Sequence, residues 1–329
     1  MSDRPTVVVT YPGFDCVDPA TAGVLAEHGL AVRFEPRTGE RSPDAVTELM
    51  NGAVGGIIST DPFDQTVFAR CPELRVLARV GVGLDTVDVD AATGAGVAVT
   101  ITPEVNTATV ADHTLTLMLA CCRRLIGNDS GTRAGRWDRG GSLNGIDLTG
   151  ATVGIVGLGS IGRAVARRLA GFDVTILGTD LAHVTSELVE RVELDELLRR
   201  SAIVTVHVPL SPATRGLIGA RELALMPSGA IIINTSRGGV IDEAALLPHV
   251  REGRLMAGLD VFEREPPAGS PLLSLDHVVV TPHIAGISVH SQQAMLEMAV
   301  RAVVAVIDGH LPPGLVNPEA LGGAREPVS

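Results

Sequence analysis

The stretch Gly154-Ile155-Val156-Gly157-Leu158-Gly159-Ser160-Ile161-Gly162 decides the fold. A buried-type run, Thr152 to Val156, enters it, and a helical pattern, Ile161 to Ala170, leaves it. In that context G-x-G-x-x-G is a dinucleotide signature. Gly157 permits the tight turn, Gly159 lets backbone approach a pyrophosphate, and Gly162 allows close packing of helix on strand. The helix N-terminus that follows supplies unpaired N–H groups to phosphate. Asp180 stands eighteen positions beyond Gly162, after the apolar run Val174 to Leu177. There a carboxylate accepts from both ribose hydroxyls and repels a 2′-phosphate, so the expected cofactor is NAD rather than NADP.

About 150 residues precede this signature, and the whole chain has 329, with 45% hydrophobic residues. That length suits two α/β domains with sizeable cores. A net charge of −12, one Trp, one Tyr and six Phe argue against nucleic acid or an anionic membrane as partner, because neither basic clusters nor stacking platforms are available. No apolar run reaches the roughly 20 residues of a membrane span, and a cytoplasmic location is expected. Cysteines at 16, 71, 121 and 122 lack metal-ligand spacing and read as reduced thiols, with no metal expected. All 26 basic residues are arginine. Lysine chemistry is therefore excluded, and any acid or base must be His, Asp, Glu, Tyr or Cys.

Short β-branched runs alternate with helical patterns along both halves, the mark of parallel sheets with crossover helices. In the first half the strand candidates are Thr6 to Thr10, Ala31 to Phe34, Gly56 to Ser59, Val76 to Val80 and Val97 to Ile101, separated by helices near 20–28, 43–51, 64–70 and 88–94. In the second half they are Thr152 to Val156, Val174 to Leu177, Ile203 to Val208, Ala230 to Asn234, Ala257 to Val261 and His277 to Thr281. Asn106 to Arg124 reads as one long bridging helix with Thr107 as N-cap, and Val289 to Ile307 as a helix returning to the first domain. The predicted domains are 1–105 plus 290–329 for substrate and 106–289 for the dinucleotide. The tail Arg325 to Ser329 is expected to lack order.

In open α/β sheets, ligands lie beyond the carboxyl ends of the strands. Those ends carry His207-Val208-Pro209, Asn234-Thr235-Ser236-Arg237-Gly238-Gly239, Asp260 to Pro266, and Thr281-Pro282-His283-Ile284-Ala285-Gly286. Each residue alone has an ordinary structural reading: His113 as packing or an interdomain contact, His207 as a strand-end hydrogen-bonder, Glu265 as a loop acid. Their convergence supplies a carboxylate-binding cation, a titratable acid and a carboxylate partner.

With Arg79-Val80-Gly81-Val82-Gly83-Leu84-Asp85 added, these motifs resemble the D-isomer-specific 2-hydroxyacid dehydrogenases, in their short phosphoglycerate dehydrogenase-like branch, over nearly the whole chain. The resemblance implies a Rossmann NAD-binding domain inserted into a flavodoxin-like substrate domain, interconversion of a D-2-hydroxy acid and its 2-keto acid, and a homodimer joined through the nucleotide-binding domains. Carried onto this sequence, the catalytic set falls on Arg237, Glu265 and His283. The implied cofactor contacts are Gly157, Gly159, Ser160, Ile161, Gly162, Asp180, His207, Val208, Pro209, Thr235, Ser236, Arg237, Asp260, His283, Ala285 and Gly286. The implied substrate contacts are Arg79, Val82, Gly83, Arg237 and His283.

The chemistry follows from the residue types. Reduction of a keto acid needs a proton at the oxygen, which suits His283 oriented by Glu265, and Arg237 grips a carboxylate bidentately. The Gly81-Val82-Gly83 turn is expected to offer backbone N–H groups to that carboxylate, and domain closure to exclude water. Arg79 stands where the phosphate of 3-phosphoglycerate would need a cation, but the loop Thr60-Asp61-Pro62-Phe63-Asp64 is acidic where a second is called for, so among 3-phosphoglycerate, glycerate, hydroxypyruvate and similar small acids the phosphorylated substrate stays open but not favoured. The non-catalytic alternative is an NAD-sensing scaffold or corepressor-like protein of the same fold, which the intact Arg237, Glu265 and His283 set opposes.

Overall fold

The computed structural model describes residues 4–137, 139, 145–182 and 186–322. The tail Arg325 to Ser329 lies outside the described residues. The chain divides into two compact units, one of Met1–Asn106 with Ser288–Ser329, the other of Thr107–Ile287.

The first unit alternates β1 (Thr6–Val9), α1 (Pro19–Glu27), β2 (Ala31–Phe34), α2 (Pro43–Met50), β3 (Ala53–Ile58), α3 (Gln65–Arg70), β4 (Val76–Arg79), α4 (Val89–Gly94) and β5 (Ala98–Thr100). Each helix starts where a short polar side chain takes up an orphan N–H. Asp18, Ser42, Asp64 and Asp88 cap α1 to α4, with Pro19 and Pro43 preset for the first turn. The strands pair in parallel in the order β2-β1-β3-β4-β5. Their alternation feeds two cores: Val7, Val9 and Ile57 face one side, Val8, Ile58 and Leu77 the other.

The second unit opens with α5 (Thr107–Cys122) and α6 (Leu125–Arg133). The single long helix read from sequence ends in a left-handed Arg124 (φ 45°), and Thr107 is its first helical residue rather than its cap. α5 belongs wholly to this unit. The sheet then builds from β6 (Thr152–Val156), α7 (Ser160–Leu169), β7 (Thr175–Thr179), β8 (Glu190–Arg191), α8 (Leu194–Arg200), β9 (Ile203–Val206), α9 (Ala220–Leu225), β10 (Ile231–Asn234), α10 (Glu243–Arg251), β11 (Met256–Leu259) and β12 (Val278–Val280). Its order is β12-β11-β10-β9-β6-β7-β8, parallel throughout. The strand missing from the sequence reading, β8, is two exposed polar residues with no apolar run to announce it. Ile203, Ile231 and Ile233 pack under α5 and α7, while Val204 and Ile232 pack toward α8 to α10. Each such fully buried aliphatic side chain contributes about 1.5–3 kcal/mol.

After β12 the chain returns to the first unit as α11 (Val289–Ile307), capped by Ser288. Met295, Leu296, Ala299, Val300 and Val303 of α11 complete the core over β1, β3 and β4. No helix among the described residues is long and apolar enough to cross a membrane.

Candidate active site

The glycine loop between β6 and α7 shows why each glycine stands where it does. Gly157 adopts φ 96°, and a Cβ there would lie 2.7 Å from the His207 carbonyl oxygen. A Cβ on Gly162 would lie 2.0 Å from the Gly157 carbonyl oxygen, so only glycine lets α7 start this close to the turn. Gly159, the helix cap, differs: a Cβ there would meet nothing within 4 Å. Packing does not demand glycine at 159, whereas close approach of a ligand's phosphates does, so the loop fits the dinucleotide. Ser160 and Ile161 open the helix behind it.

Asp180 sits just past β7, beside the loop. Its carboxylate accepts from Leu158 N (2.6 Å) and Ala182 N (2.8 Å), so the acid expected to meet the ribose also pins the glycine turn. That second task is not legible in the sequence. Past β9, His207 places Nε2 3.0 Å from the Thr205 hydroxyl, and its buried Nδ1 has no partner among the described residues. Although the residue keeps part of its surface, burial of the ring pushes its pKa down to about 3, so the imidazole is neutral. Val208 borders Gly157, and the Pro209 carbonyl accepts from Thr214.

Past β10, buried Asn234 shapes the turn that carries Arg237. Its Oδ1 accepts from Ser236 N (3.0 Å) and Ser236 Oγ (2.8 Å), while its Nδ2 donates to the Arg237 carbonyl (2.9 Å). Thr235 Oγ1 lies 2.8 Å from Thr114 Oγ1 on α5. Arg237 is half-buried and donates to the Ser236 carbonyl (2.7 Å).

Glu265 and His283 meet directly, with Nδ1 to Oε2 at 2.6 Å. The other Glu265 oxygen accepts from Phe262 N (3.1 Å). Burial raises the Glu265 pKa, but the hydrogen bond and charge of His283, the Phe262 N–H and the Arg237 guanidinium more than offset it and hold the carboxyl below its usual range. His283 itself adopts φ 55°, a left-handed conformation that is costly for a residue with a Cβ.

Asp260, expected beside the nicotinamide, is fully buried. Its carboxylate accepts from Thr281 Oγ1 (2.5 Å), Ile284 N (2.9 Å) and Ala285 N (2.8 Å), so it braces the turn carrying His283 and leading on to Gly286. His113, which the sequence suggests as packing or an interdomain contact, lies within the same unit, its Nε2 3.0 Å from Thr281 Oγ1 and 3.6 Å from Asp260 Oδ1. One histidine among nine, seven positions after Asn106, gives no signal of this contact; only the packing of α5 on β12 creates it.

In the first unit Arg79, at the end of β4, staples the following turn by donating to the carbonyls of Val80 and Gly83. The expectation that the whole Gly81-Val82-Gly83 turn presents free amides needs correction. Gly81 N–H already donates to Thr102 Oγ1 (2.9 Å). Asp61, on the loop after β3, is fully buried against Thr10 Oγ1 (2.5 Å) and Arg41 (2.9 Å), with Arg37 Nε at 4.0 Å.

The family model for the D-isomer specific 2-hydroxyacid dehydrogenase, NAD binding domain, matches residues 115–285. A glyoxylate reductase of Thermofilum pendens is 43% identical over 272 residues, covering 80% of each chain. A D-3-phosphoglycerate dehydrogenase of Methanocaldococcus jannaschii is 37% identical over 89% of this chain, which spans 56% of that relative. The crystal structure of a Thermus thermophilus protein superposes with a TM-score of 0.87 at 37% identity, covering 94% of this chain and 99% of the other. Both the fold and the sequence are thus shared ground, and the chain belongs to the D-isomer-specific 2-hydroxyacid dehydrogenases, as an NAD-dependent oxidoreductase of 2-hydroxy acids.

Proposed function

We propose that the chain interconverts a small, unphosphorylated D-2-hydroxy acid and its 2-keto acid, glyoxylate or hydroxypyruvate in the reducing direction, with His283 as acid/base. The observation that carries this is the 2.6 Å His283–Glu265 pair with the Arg237 guanidinium acting on it. Bound NADH supplies the hydride. Glu265 occupies Nδ1 and fixes the ring, which leaves Nε2 to hold the proton for the keto oxygen. Arg237 binds the substrate carboxylate, and for the first unit we propose Arg79 and the Val82 and Gly83 amides as substrate contacts.

Asp61 supports the choice of an unphosphorylated acid. It already compensates Arg41 and Arg37, so a phosphate in this loop would meet a buried carboxylate beside its cations. The name of the Thermofilum relative, glyoxylate reductase, agrees. A panel of glyoxylate, hydroxypyruvate, pyruvate, 2-ketoglutarate and phosphohydroxypyruvate, followed by NADH oxidation, tests the reading. The first two should turn over with the highest kcat/KM. Preference for phosphohydroxypyruvate would overturn the substrate assignment, and inactivity on all five with NADH still bound would overturn the reaction.

The assembly we propose is a homodimer through the second unit, supported by the exposed apolar side chains Leu125, Ile126 and Trp137. The cysteines at 16, 71, 121 and 122 are free thiols, as a cytoplasmic location would keep them.

A further inference from the structure

We infer that His113 is a positioning residue for the reaction, acting through Thr281 and Asp260 to hold the His283 turn; this rests on the acid/base reading of His283. A threonine hydroxyl has one proton to give. Thr281 lies 2.5 Å from Asp260 Oδ1 and gives it there, so the contact from His113 Nε2 at 3.0 Å is an N–H donated to the hydroxyl oxygen. The chain therefore runs His113 to Thr281 to Asp260. From Asp260 it passes to the backbone around the reacting ring: the carboxylate takes the N–H groups of Ile284 and Ala285, and the Asp260 carbonyl takes that of His283 at 2.8 Å.

Two physical demands meet at this chain. The Asp260 carboxylate is fully buried, and a buried charge is tolerated only where donors surround it. His283 is held at φ 55°, a left-handed backbone state that persists only where neighbours over-determine it. His113 comes from α5, a different layer from the strand-end loops, and its side chain is 17% exposed. It thus ties the loop bearing the acid/base to the helix that packs under β10 to β12. The neighbouring charge on α5, Asp112, is engaged elsewhere, with Arg168 of α7 at 2.5 Å.

The experiment compares His113→Leu, which removes the donor, with His113→Gln, which keeps an N–H at similar reach, and with Thr281→Val, which removes the relay hydroxyl. NADH affinity is read by fluorescence and turnover on glyoxylate by NADH oxidation. A displaced reacting group costs about 10- to 100-fold, so kcat should fall by that factor in His113→Leu and Thr281→Val, with NADH Kd unchanged and most of the rate recovered in His113→Gln. Wild-type kcat in His113→Leu, or equal losses in the Leu and Gln variants, would overturn the inference. His283→Ala, assayed in parallel, separates the two claims. If it is inactive while His113→Leu is fully active, only the positioning role fails; if it turns over normally, the acid/base reading fails and takes this inference with it.

Discussion

His283 is held by a left-handed backbone and by a carboxylate on Nδ1, and in the proposed reaction the other nitrogen, Nε2, serves the substrate. Removing the ring should leave the glycine loop untouched. His283→Ala is expected to lose at least ~100-fold in kcat, the usual worth of a general acid, while NADH affinity measured by titration stays constant. Asp180 pins the glycine turn through Leu158 N, and with the ribose contact proposed for it the variant should show two effects. In Asp180→Ala the Leu158 N–H loses a charged acceptor, so NADH should bind roughly tenfold more weakly while the ratio of NADPH to NADH use rises. A variant still wholly selective for NADH would show that the ribose contact is elsewhere. His207 gives the pH dependence. Its folded-state pKa of about 3 lies below the 6.5 of an unperturbed histidine, so between those values the unfolded chain binds a proton that the folded chain refuses. The contribution of His207 to stability is therefore fully present above about pH 6.5 and is lost progressively as the pH falls toward 3. Denaturant midpoints at pH 7.5 and 5 should separate more in the wild type than in His207→Gln.

At the scale of elements, the site is a set of strand-end turns whose spacing is fixed by backbone contact rather than by side chains alone. Gly238 is the tightest example. A Cβ there would lie 1.9 Å from the Phe262 carbonyl oxygen and 2.5 Å from Glu263 N, so the turn of Arg237 rests directly on the segment leading to Glu265. Gly238→Ala must push these turns apart and with them Arg237 from the Glu265–His283 pair. Since misplacement of about 1 Å is costly, kcat on glyoxylate should drop by about 100-fold with the NADH loop still competent to bind. An alanine variant with unchanged turnover would mean that the two turns are not coupled. The same logic explains β8. Two polar residues extend the sheet with help from outside the strand: Arg191 donates to the carbonyls of Asp180 and Ala182, and Arg200 pairs with Glu190.

At the scale of the whole molecule, the exposed Trp137, Leu125 and Ile126 of the second unit lead to a prediction about assembly. Sedimentation should give twice the 34.1 kDa of one chain, and Trp137→Glu should shift it toward the monomer by placing a charge in the apolar patch. A wild-type monomer would sink the proposal. Much of the architecture can be read directly from the chain because it depends on local rules: β6 and α11 occur with the predicted bounds Thr152–Val156 and Val289–Ile307, and the capping residues Asp18, Ser42, Asp64 and Asp88 stand at helix starts. The glycines of the loop, the acid Asp180 and the Arg237, Glu265 and His283 set are legible for the same reason, since each follows a strand and strand ends are where open α/β sheets gather polar groups. The contacts of His113 are not legible, nor are the burial of Asp61 under Arg37 and Arg41 and the engagement of Gly81 N–H by Thr102, because each joins residues distant in sequence through packing that no spacing encodes. The sequence by itself determined the two parallel sheets, the cofactor loop and the residue types of the chemistry, through periodicity and backbone sterics. Only the tertiary structure decided which partner each polar group has, because a hydrogen bond depends on a few tenths of an ångström that are set when helices such as α5 pack against the sheet.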